Sequence, residues 1–282
     1  MKRILCLSSL TALVLLAGVS CKQDKKKNDA PAPQNPEKNT VIDSIRTETY
    51  VEAKTLEMNK RYHVEYGLSV EYVVDERLDA VVRDSMNCAI AKALFSVEKP
   101  DVKALAEVNE KEVRVWFEDG IYDGDPEEMS EFEELFSEGS WRLTGMFSDD
   151  APAGFANYYI NGDDYMFGAA HGYYFFTPIV IDLSTGCRLR QEQLFNQDYF
   201  EEGLSQLLFY YLEQNEYYEE GMLLWDEPIK PNNNFTLSED GITYYFNPYE
   251  IAAYAYGLIE ISVPAADLKT LLNPEYAHLW GE

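Results

Sequence analysis

His171 is the residue whose type and surroundings first suggest chemistry, because the chain has only three histidines. Residues 168–172 read Gly-Ala-Ala-His-Gly, and an aromatic run, residues 173–176, follows. An imidazole there could act as a general base if a nucleophile or an orienting carboxylate lay beside it. The chain has no Gly-x-Ser-x-Gly and no His-Glu-x-x-His motif, and the other two histidines are isolated in sequence. We therefore favour a structural role for His171 over a catalytic one.

Acidic residues form the second candidate site. Residues 115–141 contain ten Asp or Glu and no Lys or Arg. Calcium loops beginning at Asp119 or Asp123 fail, because Ser130 takes the last ligand position of the first and Glu128 takes the required glycine position of the second. A solvated acidic surface is the favoured interpretation. Neither a metal nor a cofactor is predicted. The alternative is that this acidic segment is a docking surface for a basic protein. The candidate contact residues are then Glu127, Glu128, Glu131 and Glu134.

Cys21 closes an N-terminal segment that is typical of secretion. Two basic residues precede an apolar run from about residue 4 to residue 18, which is too short to span a bilayer comfortably. Residues 15–21, Leu-Leu-Ala-Gly-Val-Ser-Cys, resemble the lipobox of bacterial lipoproteins, in which the cysteine is acylated. We predict a signal peptide at 1–20, a lipidated tether at 21–46 and a location in the cell envelope, periplasmic or surface-exposed. An ordinary signal peptide is the alternative.

The net charge of the chain limits the classes of molecule that it can bind. The chain carries −27 overall, and residues 47–282 have 15 Lys or Arg against 46 Asp or Glu, a formal charge of −31. Such a body repels nucleic acid and anionic lipid and attracts cationic proteins, so nucleic-acid binding is excluded.

Cys88 and Cys187 remain beyond Cys21, and the sequence leaves open whether they form a disulfide.

Periodicity predicts an α+β fold of antiparallel sheets, each covered by one or two helices, in two tightly associated halves at 47–160 and 161–282. Alternation predicts strands within 47–74, at 112–119, 140–149, 153–161, 173–183 and 258–264, and a hairpin around Asp240 and Gly241. Helical spacing predicts a helix at 76–95, whose apolar face is Leu78, Val81, Val82, Met86, Ala89, Ile90, Ala93 and Leu94. Further predicted helices begin at the caps Asp198 and Asn247, and a short one starts near residue 265.

Clustered aromatic residues allow two interpretations. They could be core residues of strands, which we favour for the larger share, or they could stack on sugars or anchor a protein interface. The residues concerned are Tyr158, Tyr159, Tyr173, Tyr174, Phe175, Phe176, Tyr244, Tyr245, Tyr254 and Tyr256.

Residues 168–195 and 235–272 together resemble the C-terminal domain of RsiV-type anti-sigma factors, the domain of unknown function 3298 (DUF3298). The resemblance extends over residues 161–274 and is carried by a Gly-Ala-Ala-His-Gly segment, a Thr-Gly turn, an Asp-Gly hairpin and a Pro-Tyr-Glu-Ile-Ala segment. The first of these departs slightly from the family pattern, which has two glycines before Ala-His-Gly. The signature residues here are Gly168, His171, Gly172, Gly186, Pro248, Tyr249 and Glu250. Residues 47–160 more weakly resemble the companion domain (DUF4163) found in RsiV and in PdaC-type deacetylases.

The resemblance implies a binding function without catalysis. RsiV-type proteins bind lysozyme, a basic protein, through this region, whereas the deacetylase chemistry of PdaC-type proteins lies in a separate domain. We therefore predict a non-enzymatic cell-envelope lipoprotein that binds a cationic protein or a cell-wall component. The alternative is an envelope hydrolase or deacetylase that acts on glycan or peptide through His171 and a nearby carboxylate.

Overall fold

The computed structural model describes residues 45–121, 137–196, 200–216, 218–224 and 228–281. The predicted signal peptide and most of the tether, with Cys21, lie outside these ranges. So do the cap Asp198 and the acidic candidates Glu127, Glu128, Glu131 and Glu134. Within the described ranges, we find no helix that is long and apolar enough to cross a membrane.

Seven strands form the larger sheet. Residues 47–73 alternate polar and apolar side chains and form the predicted antiparallel pair β1 and β2. The sheet runs β1-β2-β3-β4-β6-β7, and β5 also pairs with β4. Its strands are β1 (Thr47–Glu57), β2 (His63–Val73), β3 (Glu138–Ser148), β4 (Phe155–Tyr165), β5 (Tyr173–Phe176), β6 (Ile179–Asp182) and β7 (Arg188–Leu189). The single strand predicted at 173–183 is therefore two strands, which are separated at Thr177 and Pro178.

One pair in this sheet departs from the predicted antiparallel arrangement. β2 and β3 are parallel, and the chain between them contains the helices α1 (Ala80–Phe95) and α2 (Val102–Glu118). A parallel pair requires a crossover of this kind, because a short turn can join only antiparallel neighbours. The remaining pairs of this sheet are antiparallel, so the α+β prediction is confirmed.

Helix α1 confirms the predicted helix at 76–95, although its buried face differs in part. Asp79 caps it by accepting a hydrogen bond from the Val81 backbone nitrogen. Met86 and Ile90 are buried as predicted, whereas Val81 is 72% exposed. Val81 lies in the first turn, directly beside this cap.

Helix α2 contradicts the strand predicted at 112–119. Val113, Val115 and Phe117 alternate, but the buried positions of the longer segment are Val102, Ala106, Asn109, Val113 and Phe117. These are spaced by three or four residues, which is the helical period. Val115 is 63% exposed, so the three alternating residues do not share a buried face.

A second, three-stranded sheet has the order β10-β9-β8. Its strands are β8 (Phe235–Leu237), β9 (Gly241–Phe246) and β10 (Ile259–Pro264), and all its pairs are antiparallel. The predicted β8–β9 hairpin is confirmed with its tip one residue earlier. Glu239 and Asp240 form the tip, because Ser238 and Gly241 exchange backbone hydrogen bonds.

Three helices accompany the second sheet: α3 (Gln191–Leu194), α4 (Phe200–Glu213) and α5 (Ala265–Leu268). Helix α4 buries Phe200, Leu204 and Leu208. Short 3-10 helices follow at Tyr254–Tyr256 and Pro274–Trp280.

The helix predicted to begin at Asn247 is wrong. The chain forms a turn there, and only Tyr254–Tyr256 is helical, as a 3-10 helix. Tyr249 has a φ of 71°, which is incompatible with a right-handed helix. The Asn247 side chain accepts from the Phe176 backbone nitrogen at 2.7 Å, so it is not available to cap a helix.

Two apolar cores lie on opposite faces of the β4–β6 region. Tyr158, Ile160 and Ile181 belong to the core under α1 and α2. Phe155 and Val180 belong to the core with α4 and the smaller sheet. Strand β4 contains the predicted boundary at 160/161.

Candidate functional site

His171 lies in the exposed loop between β4 and β5. Its Nδ1 donates to the Gly172 carbonyl oxygen at 2.9 Å, and its ring lies 4.2 Å from the Tyr254 ring, at an angle of 30°. Among the described residues, its ring pairs with neither a carboxylate nor a hydroxyl nucleophile. The ring is therefore oriented by backbone and by an aromatic neighbour.

Gly172 and Gly186 occupy positions that exclude a side chain. A Cβ at Gly172 would lie 2.8 Å from the Asp164 carbonyl oxygen, so glycine allows the loop to approach β4. Gly186 has a φ of 72°, and a Cβ there would collide with the Val82 carbonyl oxygen of α1. Gly186 thus seats the β6–β7 turn on the helix, away from His171. Gly168 lies exposed in the loop after β4.

The structure brings His171 together with three tyrosines, and we call these four residues the aromatic patch: His171, Tyr174, Tyr249 and Tyr254. Tyr254 is central. Its ring centroid lies 5.8 Å from that of Tyr174 and 5.6 Å from that of Tyr249. Its hydroxyl donates to the Gly172 carbonyl oxygen at 2.8 Å, which joins two segments that are 82 residues apart.

The turn at 247–252 positions Tyr249 on this patch. Pro248 is buried, while the Asn247 nitrogen donates to Glu250 Oε2 at 3.0 Å and the Tyr249 nitrogen donates to the Ala252 oxygen at 3.1 Å. Tyr249 is 52% exposed. Its φ of 71° is uncommon for any residue but glycine. Backbone strain in an exposed aromatic residue is a feature that concentrates at functional sites.

The predicted aromatic clusters divide between core and surface. Tyr158 and Tyr244 are fully buried and confirm the core interpretation for part of the set. Tyr173, Tyr174 and Tyr256 are 40%, 38% and 37% exposed, so these three are not core residues.

Carboxylates border the aromatic patch. Burial, together with the neighbouring charge of Asp163, raises the pKa of Asp164 to about 6. Asp164 is the strand partner of Tyr173, whose own pKa is raised by burial and by the charges of Glu250 and Asp164. Asp163 in turn pairs with Arg142 at 3.0 Å. A negative field of this kind favours a cationic ligand.

Potential metal ligands and thiols can be located in the part of the chain that the structure describes. We find no group of three or more His, Cys, Asp or Glu side chains there that could hold a metal ion. Cys88, which is half-buried, and Cys187, which is exposed, are free thiols.

Sequence reasoning identified most members of the patch but not their association. Tyr249 and His171 were singled out as signature residues, whereas Tyr254 was only one of many clustered tyrosines. A signal that could have found it is the Tyr-Ala-Tyr-Gly ending of residues 254–257, which is unusually aromatic for a turn before a strand.

Residues 192–266 match a family described as "Protein of unknown function (DUF3298)". The chain therefore carries a DUF3298 domain at these positions, which include Pro248, Tyr249 and Glu250. The signature residues Gly168, His171, Gly172 and Gly186 precede the matched range.

Two solved structures of DUF3298 family proteins share the fold. A DUF3298 family member from Bacteroides fragilis is 25% identical, with a TM-score of 0.66 over 83% of this chain and 95% of that chain. A DUF3298 family protein from Pseudomonas aeruginosa is 14% identical, with a TM-score of 0.60 over 85% of this chain and 98% of that chain. The comparison with curated proteins found no match.

Proposed function

We propose that this chain is a non-enzymatic lipoprotein of the bacterial cell envelope that binds a protein or cell-wall ligand through the aromatic patch. The observation that carries the proposal is Tyr249, an exposed tyrosine held at a φ of 71° against Tyr254. Tyrosines are enriched in binding hot spots because they offer a large contact area and lose little conformational entropy. The backbone contact of His171 is consistent with a binding role for its ring.

The N-terminal sequence supports the proposed location. A basic and an apolar segment lead to Cys21 in a lipobox-like context, and acyl chains on Cys21 would hold the protein at a membrane. We also infer that residues 47–160 correspond to the companion domain of RsiV-type proteins. That assignment rests on resemblance.

The proposed ligand is a cationic protein of lysozyme type. Residues 47–282 carry a formal charge of −31, and Asp164 and Glu250 border the patch. Opposite charge accelerates encounter and favours the correct partner, and aromatic anchors such as Tyr249 add binding energy at the contact.

The test is a titration of the full mature chain at physiological salt against lysozyme and against an unrelated protein of equal positive charge. We expect lysozyme to bind more tightly, and Tyr249→Ala to weaken it at least about 10-fold. Tyr210→Ala is the matched control, because Tyr210 is 54% exposed on α4 and Tyr249 is 52% exposed. Equal affinity for both basic proteins would reject specific recognition.

A second set of variants examines the acidic candidates. Replacing Glu127, Glu128, Glu131 and Glu134 with glutamine should weaken lysozyme binding and reduce its dependence on salt.

An activity assay on peptidoglycan fragments addresses the alternative, an envelope enzyme that acts through His171. Turnover that His171→Ala abolishes would replace the binding proposal with an envelope hydrolase or deacetylase.

A further inference from the structure

A cavity of about 500 Å³ is lined in part by Glu250 and Ile251, the two residues that follow Tyr249 in the turn. Its volume is within the range of small-ligand pockets, roughly 300–1,000 Å³. Most of its lining is apolar, and its walls include Leu223, Ile229, Phe246 and Ile251. Lys230 and Glu250, both exposed, also line it.

The cavity and the aromatic patch share one turn. Tyr249 contacts Tyr254 in the patch, and the next two residues, Glu250 and Ile251, line the cavity. The patch and the cavity are therefore adjacent along the chain. An apolar pocket beside exposed aromatic residues is the usual arrangement of an interface anchor.

Glu250 is oriented before any ligand arrives. Its Oε2 accepts from the Asn247 backbone nitrogen at 3.0 Å, and Asn247 is itself tied to β5 by its contact with the Phe176 nitrogen. Glu250 Oε1 has no hydrogen-bond partner among the described residues. A carboxylate that is already ordered loses less conformational entropy when it binds a cation.

We propose that this cavity takes an apolar group that lies next to a positive charge, with the apolar group against Phe246 and Ile251 and the cation at Glu250. In a protein ligand, this chemistry is a large apolar side chain beside a lysine or arginine. This inference rests on the proposed function, and it specifies which chemical groups of the ligand would occupy the cavity. An anionic ligand facing Lys230 is disfavoured because residues 47–282 carry a formal charge of −31, which repels anions.

The experiment uses the full mature chain and three probes of equal length: 1-hexylamine, 1-hexanol and hexanoate. Binding is followed by NMR shifts of Ile229, Phe246 and Ile251 at physiological salt. We expect saturable binding of hexylamine, about 10-fold tighter than hexanol, with hexanoate weakest. Glu250→Gln should lower hexylamine affinity to that of hexanol and leave hexanol unchanged.

Two further variants make the result specific. Glu239→Gln removes an exposed carboxylate at the β8–β9 tip and should leave hexylamine binding unchanged. Leu223→Trp fills part of the cavity from a half-buried position and should weaken both hexylamine and hexanol. If hexanoate bound as tightly as hexylamine, or if Glu250→Gln had no effect, the assigned chemistry would be wrong.

The outcome is separable from that of the proposed function. Lysozyme binding without saturable hexylamine binding overturns the cavity proposal alone. Hexylamine binding that depends on Glu250, without any lysozyme binding, overturns the lysozyme-type ligand and retains the cavity proposal.

Discussion

Asn157 holds Leu237 with both ends of its side-chain amide. Its Nδ2 donates to the Leu237 carbonyl oxygen at 2.7 Å, and the Leu237 nitrogen donates to its Oδ1 at 3.1 Å. The amide thus supplies the pair of bonds that a neighbouring strand would otherwise make. Because Asn157 is in β4 and Leu237 is in β8, these bonds connect the two sheets at a fully buried position.

The first prediction concerns this connection. Asn157→Ala should lower the free energy of unfolding by about 3 kcal/mol, because it leaves both backbone groups of Leu237 unpaired in the interior. Asn161→Ala is the control, since Asn161 is exposed on the same strand, and it should change stability by less than about 0.5 kcal/mol. Urea unfolding measures both, and equal effects would contradict the assigned role.

The second prediction concerns Asp75, which is buried before α1. Arg77 donates to it from Nε at 2.9 Å and from a terminal nitrogen at 2.6 Å, and the Arg46 backbone nitrogen donates at 3.0 Å. These bonds, those from the Arg77 side chain first, hold the pKa of Asp75 well below its usual range. A lowered folded-state pKa stabilises the fold above the unfolded-state value of about 3.9, and this stability is lost as the pH falls below it.

Asp75→Asn should therefore unfold at a lower temperature than the wild type at pH 7. The difference should shrink as the pH falls below about 4. Asp149→Asn, a change at an exposed site, should follow the wild type throughout. Thermal unfolding between pH 3 and 7 measures this, and a difference that is independent of pH would argue against the charged contact.

The elements that periodicity predicted correctly are those in which local pattern and burial agree. β2 buries alternate residues and α1 buries Met86 and Ile90 one turn apart, and the β8–β9 hairpin has its turn residues in place. The prediction failed at helix α2 because Val113, Val115 and Phe117 alternate by chance. The longer helical pattern was harder to recognise because its buried positions include the polar Asn109. Asn109 is buried because its side chain accepts from the Tyr66 hydroxyl at 3.2 Å.

The candidate site was predictable residue by residue but not as a whole. The turn at 247–252 depends on Phe176, which is 71 residues away and engages the side chain that would otherwise cap a helix. The stacking of His171 on Tyr254 likewise joins distant segments. Contacts of this range leave no periodic trace in the sequence, so the sequence could indicate the residues and not the patch.

The third prediction concerns Asp164, whose pKa is raised to about 6 by burial and by Asp163. A raised acid pKa means that the folded chain binds the proton more tightly, so stability falls as the pH rises from about 4 to 6. Asp164→Asn should increase the free energy of unfolding by about 1 kcal/mol at pH 8, allowing for solvent screening, and by little at pH 4. Urea unfolding at the two pH values checks it.

A companion variant separates the two causes. Asp163→Asn removes the neighbouring charge and should lower the pKa of Asp164, as followed by the carboxyl carbon signal in NMR. An Asp164→Asn effect of equal size at pH 4 and pH 8 would show that the side chain acts through packing and not through its charge.

The fourth prediction concerns the anchor at Cys21. Cys21→Ser should move the protein from the membrane fraction to the soluble fraction, because acyl chains would supply the membrane affinity. Cell fractionation with immunodetection measures the distribution, and Cys187→Ser, which changes an exposed thiol, is the control. A processed Cys21→Ser chain that stays in the membrane fraction would count against lipidation.

The last prediction separates backbone strain from ligand contact at Tyr249. Tyr249→Gly and Tyr249→Ala both remove the ring, but only glycine adopts a φ of 71° without steric cost. The glycine variant should therefore be more stable than the alanine variant by about 0.5–1 kcal/mol in urea unfolding. Both variants should lose lysozyme affinity equally, at least about 10-fold, because binding depends on the ring. If the glycine variant were the less stable of the two, Tyr249 would not be strained, and if either variant bound lysozyme like the wild type, Tyr249 would lie outside the binding surface.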